Sequence, residues 1–430
     1  MLERCAWFGA PVPEPKSSPG ILAKRMFSRS GTIMLRPELP YAKSIANRVM
    51  VLRSLRGMAL PEPDAQWSDD MHAMRRVLEA PLGKDGWRLA HAGPSGMAYR
   101  FGMAYWAARP GARVLLCADD RLRNRPIQAL VDALRSQGAL IEPAELGWRI
   151  QGVRLPGGIL EVDSRLSSQF ASALTLVAET ADNPLEIKWS SGIASAPYLA
   201  MTQKLAQGHS LNWPPERDWS AAFVFLVAVG LRGLGIDLMG LSADSIQGDA
   251  ASMEWGGDLQ FRVSGIDGGL RVEPSHAPIA SVVVELLPPL PAWDVDFKGF
   301  PDLAMPAIVA AALQGRSGLA SGLLTLNLKE SPRLDATVYM LRALGCIAEQ
   351  GPDWLRWSAP DGASSQADQA NGSVVQRLEL DCLDDHRMAF CAGLIALRRP
   401  VRLRQSAAVS KSFPDFWKEF SVFEPDIELV

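Results

Sequence analysis

Basic residues recur at the mouths of apolar segments in this 430-residue chain. Lys43, Ser44 and Arg48 sit in AKSIANR, directly ahead of the core-like VMVLRSL. Spacings of i to i+4 and i+5 put them near one helical turn. Arg125 precedes Pro126 just after the strand-like RVLLCADD, at a strand-to-helix corner of the kind that lines sites in α/β folds. Lys329, Glu330 and Arg333 form LKESPR, where Glu330 alone reads as a capping residue. Asp385, His386 and Arg387 lead into MAFCAGLIAL, and Lys411 lies in SKSFPDF before an aromatic turn. Cations at the edge of buried segments call for anionic partners. The chemistry they suit is the binding of an anion.

The elements that must hold these residues form a pattern. Six times a short polar or Gly/Ser-containing turn runs into an apolar helix-like stretch. The stretches start at Ala42, Pro94, Ser167, Asp218, Pro301 and Asp384. Each is apolar on nearly all faces, as a buried helix is. Amphipathic segments lie between them, from Ser68, Arg125, Ser195 and Ser331. Three of those end in Gly138, Gly208 and Gly345, expected as left-handed C-caps. Short β-rich stretches follow, such as ALIEPAELGWRIQG. The repetition predicts an α/β (α+β) fold built from recurring helix-and-sheet units. A buried helix carries unpaired N–H groups and about half a positive charge at its start. Several such starts aimed at one cleft would make an anion site.

Composition narrows the classes. Hydrophobic residues make up 48% and charged residues 21%, so the chain is globular rather than disordered or fibrous. The net charge of −3 argues against a general nucleic-acid binder. The apolar run from Ala221 to Leu231 is too short to span a membrane. The N-terminal segment has no apolar signal-peptide core, and five dispersed cysteines read as reduced thiols, so the cytoplasm is expected. No histidine or cysteine pair has metal-ligand spacing.

Nine segments occur in order over nearly the whole chain: AKSIANR, SGMAYR, RPIQALVDAL, SSQF, SAPYLAMT, PDLAM, LKESPR, DDHRMAF and SKSFPDF. Together they resemble the 3-phosphoshikimate 1-carboxyvinyltransferases, the EPSP synthases. The resemblance implies a monomer of two domains, each of three βαβαββ repeats, with buried parallel helices surrounded by sheets. It implies a first, discontinuous domain of residues 1–41 and 218–430, a second of 42–217, and a site in the cleft between them. The implied reaction transfers the enolpyruvyl group of phosphoenolpyruvate (PEP) to the 5-hydroxyl of shikimate 3-phosphate and releases phosphate. It needs no metal and no organic cofactor.

The resemblance also assigns residues. Lys43, Ser44, Arg48, Ser167, Ser168, Gln169, Ser195, Asp302 and Lys329 match positions that bind shikimate 3-phosphate. Lys43, Gly96, Arg125, Gln169, Arg333, Arg387 and Lys411 match positions that bind PEP. Asp302 matches the carboxylate that takes the proton of the attacking hydroxyl, Glu330 the acid near the PEP methylene, and Lys43 the cation that touches both substrates.

Some positions depart from the family pattern. Tyr41-Ala42 replaces Gly-Ser, Pro94 replaces the Asn of the PEP loop, Thr325 replaces Asn, and Pro332 replaces Asp. The stretch between Asp70 and His91 is short, so a strand pair is expected to be trimmed. Pro94 lacks both an amide side chain and a backbone N–H. PEP is therefore expected to bind more weakly than in a typical member, and the inhibitor glyphosate to lose more than PEP. Two other readings remain: a non-catalytic relative that binds an anionic metabolite, and a UDP-N-acetylglucosamine enolpyruvyl transferase. The latter carry a Cys five residues before the Arg-Pro corner, where this chain has Asp120, with Cys117 earlier.

Overall fold

The sequence WSAAFVFLVAVGLR has no polar face, so as a helix it must be enclosed on all sides. It forms helix Trp219–Arg232, buried almost throughout. Asp218 caps its start, accepting from the Ala221 N–H at 2.8 Å, and Gly233 ends it in the left-handed region at φ 71°. Each large side chain it buries contributes about 1.5–3 kcal/mol.

In the computed structural model, described for residues 25–27, 33–162, 168–189, 196–275, 291–359 and 376–430, all six apolar stretches are helices. In chain order the helices are α1 (Lys43–Leu55), α2 (Asp69–Leu78), α3 (Gly96–Ala107), α4 (Asp120–Arg123), α5 (Gln128–Ser136) and α6 (Ser168–Val177). They continue as α7 (Ala196–Ala206), α8 (Trp219–Arg232), α9 (Ala304–Leu313), α10 (Arg333–Ala343), α11 (His386–Ala396) and α12 (Phe416–Phe420). The buried helices pack in two trios, α1 with α3 and α6, and α8 with α9 and α11. The amphipathic stretches became α2, α5, α7 and α10. Gly138, Gly208 and Gly345 take φ of 92°, 106° and 88°, as the capping argument requires.

Among the described residues two units share one topology. Strands Arg88–His91 and Arg113–Cys117 run parallel around α3, and the hairpin Leu140–Ala144/Gly147–Gln151 completes that sheet through its second strand. Strands Trp293–Asp296 and Gly318–Ser321 do the same around α9, completed by Ala348–Gln350/Trp354–Trp357. Shorter parallel pairs flank α6 and α11. Between α2 and Arg88 only the isolated bridge Leu82–Arg88 occurs, so the strand pair expected to be trimmed is trimmed. The fold is a mixed α/β arrangement of repeated units around buried helices.

One hydrophobic core draws on residues from Ala42 to Leu205, the other on Leu39 and residues from Trp219 to Phe423. Two chain segments cross between them side by side. Tyr41 bridges Arg217, Ala42 donates to the Glu216 carbonyl at 2.9 Å, and Asp218 donates to the Pro40 carbonyl at 3.0 Å.

Packing around α8 leaves no room at Gly230, where a Cβ would fall 2.1 Å from the Leu259 carbonyl oxygen. Gly230→Ala gains about 1 kcal/mol of helix propensity. The backbone clash outweighs it, and the expected net loss is about 1–3 kcal/mol. Denaturant unfolding checks this; an unchanged or raised midpoint contradicts it.

Candidate active site

Six helix starts meet at one cavity of about 120 Å³. Lys43 and Ser44 come from the first turn of α1, Gly96 and Met97 from α3, and Ser168 and Gln169 from α6. Asp218 and Ser220 come from α8, Asp302 from just before α9, and His386 and Arg387 from α11. The convergence expected from the apolar stretches is therefore realised, with the positive ends of several helix dipoles facing one space. Among the described residues the walls carry seven Lys and Arg side chains against five carboxylates.

Lys43, Ser44, Arg48, Gly96, Arg125, Ser168, Gln169, Asp302, Lys329, Glu330, Arg333 and Arg387 all line this cavity. Ser167 and Ser195 lie outside the described residues. Lys411 is not on the wall: its ammonium donates to the Asp384 carbonyl oxygen at 2.6 Å and to the Asp384 carboxylate at 2.8 Å.

Arg333 organises the acidic side. Its guanidinium donates to Asp302 at 2.9 Å, to Glu330 at 2.7 Å, and twice to Asp385, at 2.9 and 3.2 Å. Asp385 is fully buried and also accepts from the Ser331 hydroxyl and the Arg387 N–H, which caps α11. Burial works against the Asp302 carboxylate, but Lys329, Arg387 and Arg333 outweigh it and hold its pKa well below the usual range. Burial also works against Glu330, and there Arg333 and Arg125 win in the same direction. Arg125 approaches Glu330 to 4.0 Å from the other side of the cavity. His386 is kept neutral by burial and by Lys43, Arg387 and Arg333 around it.

The opposite wall is cationic. Burial disfavours the Lys43 ammonium, but Asp70, 3.0 Å away, and Glu330 raise its pKa overall. Arg48 is almost wholly buried and bonds neutral partners: Thr202 at 2.6 Å, the Ser44 carbonyl at 2.7 Å, Ser172 at 3.0 Å, the Tyr198 carbonyl at 3.3 Å and the Met97 sulfur at 4.0 Å. Burial pushes its pKa down to about 10. A Cβ on Gly96 would stand 3.0 Å from an Arg100 nitrogen, 3.7 Å from the Gln169 amide oxygen and 3.8 Å from an Arg125 nitrogen. Glycine there keeps open a gap flanked by two guanidinium groups.

The wall residues not assigned from the sequence include Arg100, Tyr198, Ser220 and Asp249. Arg100 donates to Gln169 at 2.5 Å, while its buried Nε has no partner. Tyr198 places its hydroxyl 3.3 Å from Asp302 and 3.4 Å from Asp249. The Ser220 hydroxyl accepts from Arg387 at 2.8 Å and donates to Asp249. A charge inside an apolar stretch, as at Arg100, was the available signal. Asp249 lies in the 3₁₀ segment Gly248–Gly256, where no periodicity marks it. Among the described residues no group of three His, Cys, Asp or Glu could hold a metal ion.

Burial raises the Asp249 pKa to about 6 from 3.8, against the bond from Ser220. Between those values the folded protein keeps a proton that the unfolded chain has lost. This group's contribution to stability therefore falls as pH rises through the window and is least favourable above it. The difference corresponds to roughly 3 kcal/mol at most. Asp249→Asn is expected to be more stable than the parent at about pH 8 and close to it at about pH 4. Thermal unfolding of both proteins across this range checks it; a gap independent of pH contradicts it.

A family model described as EPSP synthase (3-phosphoshikimate 1-carboxyvinyltransferase) matches residues 75–209 and 205–420. The 3-phosphoshikimate 1-carboxyvinyltransferase of Bacteroides fragilis is 30% identical over 410 residues, covering 89% of this chain and 93% of the relative. That of Vibrio cholerae is 29% identical over 442 residues, covering 89% and 95%. The fold is similar to that of the EPSP synthase from Acinetobacter baumannii, with a TM-score of 0.63 at 16% identity over 91% of this chain and 96% of that one. With the motif order, these matches place the chain in one family: it is an EPSP synthase family member.

Proposed function

We propose that this protein transfers the enolpyruvyl group of PEP to the 5-hydroxyl of shikimate 3-phosphate, giving 5-enolpyruvylshikimate 3-phosphate and phosphate. The observation that carries this reading is the Asp302–Arg333–Glu330 cluster facing a wall of Lys43, Arg48, Arg100 and Arg125 across one cavity. Two polyanions need the cations, and addition to an enol double bond needs a base and an acid.

In this reading Lys43, Ser44, Arg48, Ser167, Ser168, Gln169, Ser195, Asp302 and Lys329 bind shikimate 3-phosphate. Lys43, Gly96, Gln169, Arg125, Arg333, Arg387 and Lys411 bind PEP. Asp302, held ionised, takes the proton of the 5-hydroxyl as its oxygen attacks C2 of PEP. Glu330 delivers a proton to the methylene carbon. The tetrahedral adduct then loses phosphate and a methyl proton, restoring the double bond in the product. Arg333 and Arg125 hold Glu330 as a carboxylate. PEP brings a carboxylate and a phosphate to those cations, which weakens their hold and lets Glu330 carry its proton. Neither Cys117 nor Asp120 lines the cavity, which supports the shikimate reading over the UDP-N-acetylglucosamine one.

The crossing segments at Pro40–Ala42 and Glu216–Asp218 are the hinge of a two-domain protein, with residues 1–41 and 218–430 on one side and 42–217 on the other. The protein acts on small molecules as a cytoplasmic monomer. Among the described residues no helix is long and apolar enough to cross a membrane. A coupled assay of phosphate release with both substrates tests the reaction; no release in their presence overturns it.

Asp302→Ala is expected to keep shikimate 3-phosphate binding within about tenfold (about 1.4 kcal/mol). Turnover should fall by roughly 10²–10⁴. Near-normal turnover removes Asp302 from the role of base.

Pro94 follows Gly93, at φ 56°, and precedes Ser95, whose hydroxyl caps α3 by accepting from the Ala98 N–H. Restoring an amide there with Pro94→Asn adds a bond worth about 0.5–1.5 kcal/mol, or more if its partner is charged. The KM for PEP and the inhibition constant of glyphosate should both fall, the second further. Equal values in the two proteins contradict the assignment.

A further inference from the structure

Of the seven cations assigned as substrate ligands from the sequence, six line the cavity and Lys411 does not. It ends the 3₁₀ turn Ser406–Lys411, with a side chain only 14% exposed. Its ammonium is gripped twice by a single residue, through the Asp384 carbonyl and carboxylate oxygens. That grip depends on an unusual backbone. Leu383 and Asp384 both lie in the left-handed region, at φ 50° and 57°. Few non-glycine residues do so, and Asp and Asn are the commonest of them. The Leu383 N–H is anchored on the Asp381 carboxylate at 2.8 Å. The next residue, Asp385, belongs to the Arg333 cluster. The loop that binds Lys411 is therefore continuous with the cavity wall.

The same place is a seam between the two cores. Ser410, next to Lys411, donates to Asp69 of α2 at 2.6 Å. Arg121 of α4 donates to the Leu383 carbonyl at 3.4 Å. Lys411 thus stands where the two cores meet, with its charge already answered. The Asp384 side chain is 58% exposed, so water screens it and a doubly charged phosphate can outcompete it.

We propose that Asp384 is an affinity-setting residue, a built-in competitor that holds Lys411 until the anion of PEP displaces it. This rests on the reading of Lys411 as a PEP ligand. Removing the competitor's charge frees Lys411 before substrate arrives, so less of the binding interaction goes into breaking the internal pair. Substitution by Asn keeps a residue that tolerates the left-handed backbone.

The test compares steady-state kinetics of the whole enzyme with Asp384→Asn, Asp384→Gly, Lys411→Met and the Asp384→Asn/Lys411→Met double variant. Asp384→Asn should lower the KM for PEP by about two- to fivefold, the range of a half-exposed ion pair. The KM for shikimate 3-phosphate should not move. Asp384→Gly, which also accepts the backbone, should shift the KM for PEP the same way. The shift should vanish when Lys411 is already Met. A KM for PEP that is unchanged or raised in both Asp384 variants, while Lys411→Met weakens PEP, overturns the competitor role and leaves the ligand reading intact. A KM for PEP unaltered by Lys411→Met overturns the ligand reading itself, and the proposal with it.

Discussion

One guanidinium holds the acidic half of the site together. Arg333 is 2% exposed and shares its donors among Asp302, Glu330 and Asp385. A buried ion cluster is stabilising only when nearly every donor and acceptor is met. Here the requirement ties three chain segments at one point. Asp302 precedes α9, Arg333 begins α10 and Asp385 caps α11. The packing of α9 against α10 and α11 therefore has a polar end as well as an apolar flank. Loss of any one carboxylate would leave the others with a shifted partner, so the register of these helices and the chemistry of the carboxylates are set together.

The cavity is asymmetric because its two trios of helices contribute different residue types. From the side of α1, α3 and α6 come Lys43, Arg48, Arg100 and Arg125, with Asp70 the one carboxylate among the described wall residues there. From the side of α8, α9 and α11 come Asp218, Asp249, Asp302 and Glu330, interleaved with Lys329, Arg333 and Arg387. One side is suited to gathering anions, the other to moving protons. Both tasks share the geometry of helix starts, where backbone N–H groups and dipoles favour negative charge. The carboxylates there must be balanced by cations in turn, as Asp302 is by Lys329, Arg387 and Arg333.

Much of this was legible in the sequence. The six buried helices follow from stretches with no polar face, such as PAIVAAAL in α9, and the surface helices from the glycines that end them. The ligands on the wall followed from motif resemblance rather than from periodicity. What escaped were residues placed by tertiary contact. Tyr198 reaches Asp302 from a helix of the other core, and Asp249 arrives from a 3₁₀ segment. The grip on Lys411 depends on two consecutive left-handed residues, which LDD does not announce. Arg100 also went unassigned, although a charge within GMAYRFGMAYWA had to find something polar.

The two crossing segments bear on more than connectivity. They run next to each other and are hydrogen-bonded, with Tyr41 opposite Arg217. A lone tether would leave its two bodies three rotational freedoms. A bonded pair removes twist and slide, and leaves bending about the line that joins them. Any travel of one core past the other is then a search along a single coordinate. Groups as far apart in sequence as Arg125 and Glu330 are brought to 4.0 Å by the fold itself. The entropy of aligning them is spent at folding instead of in each catalytic cycle.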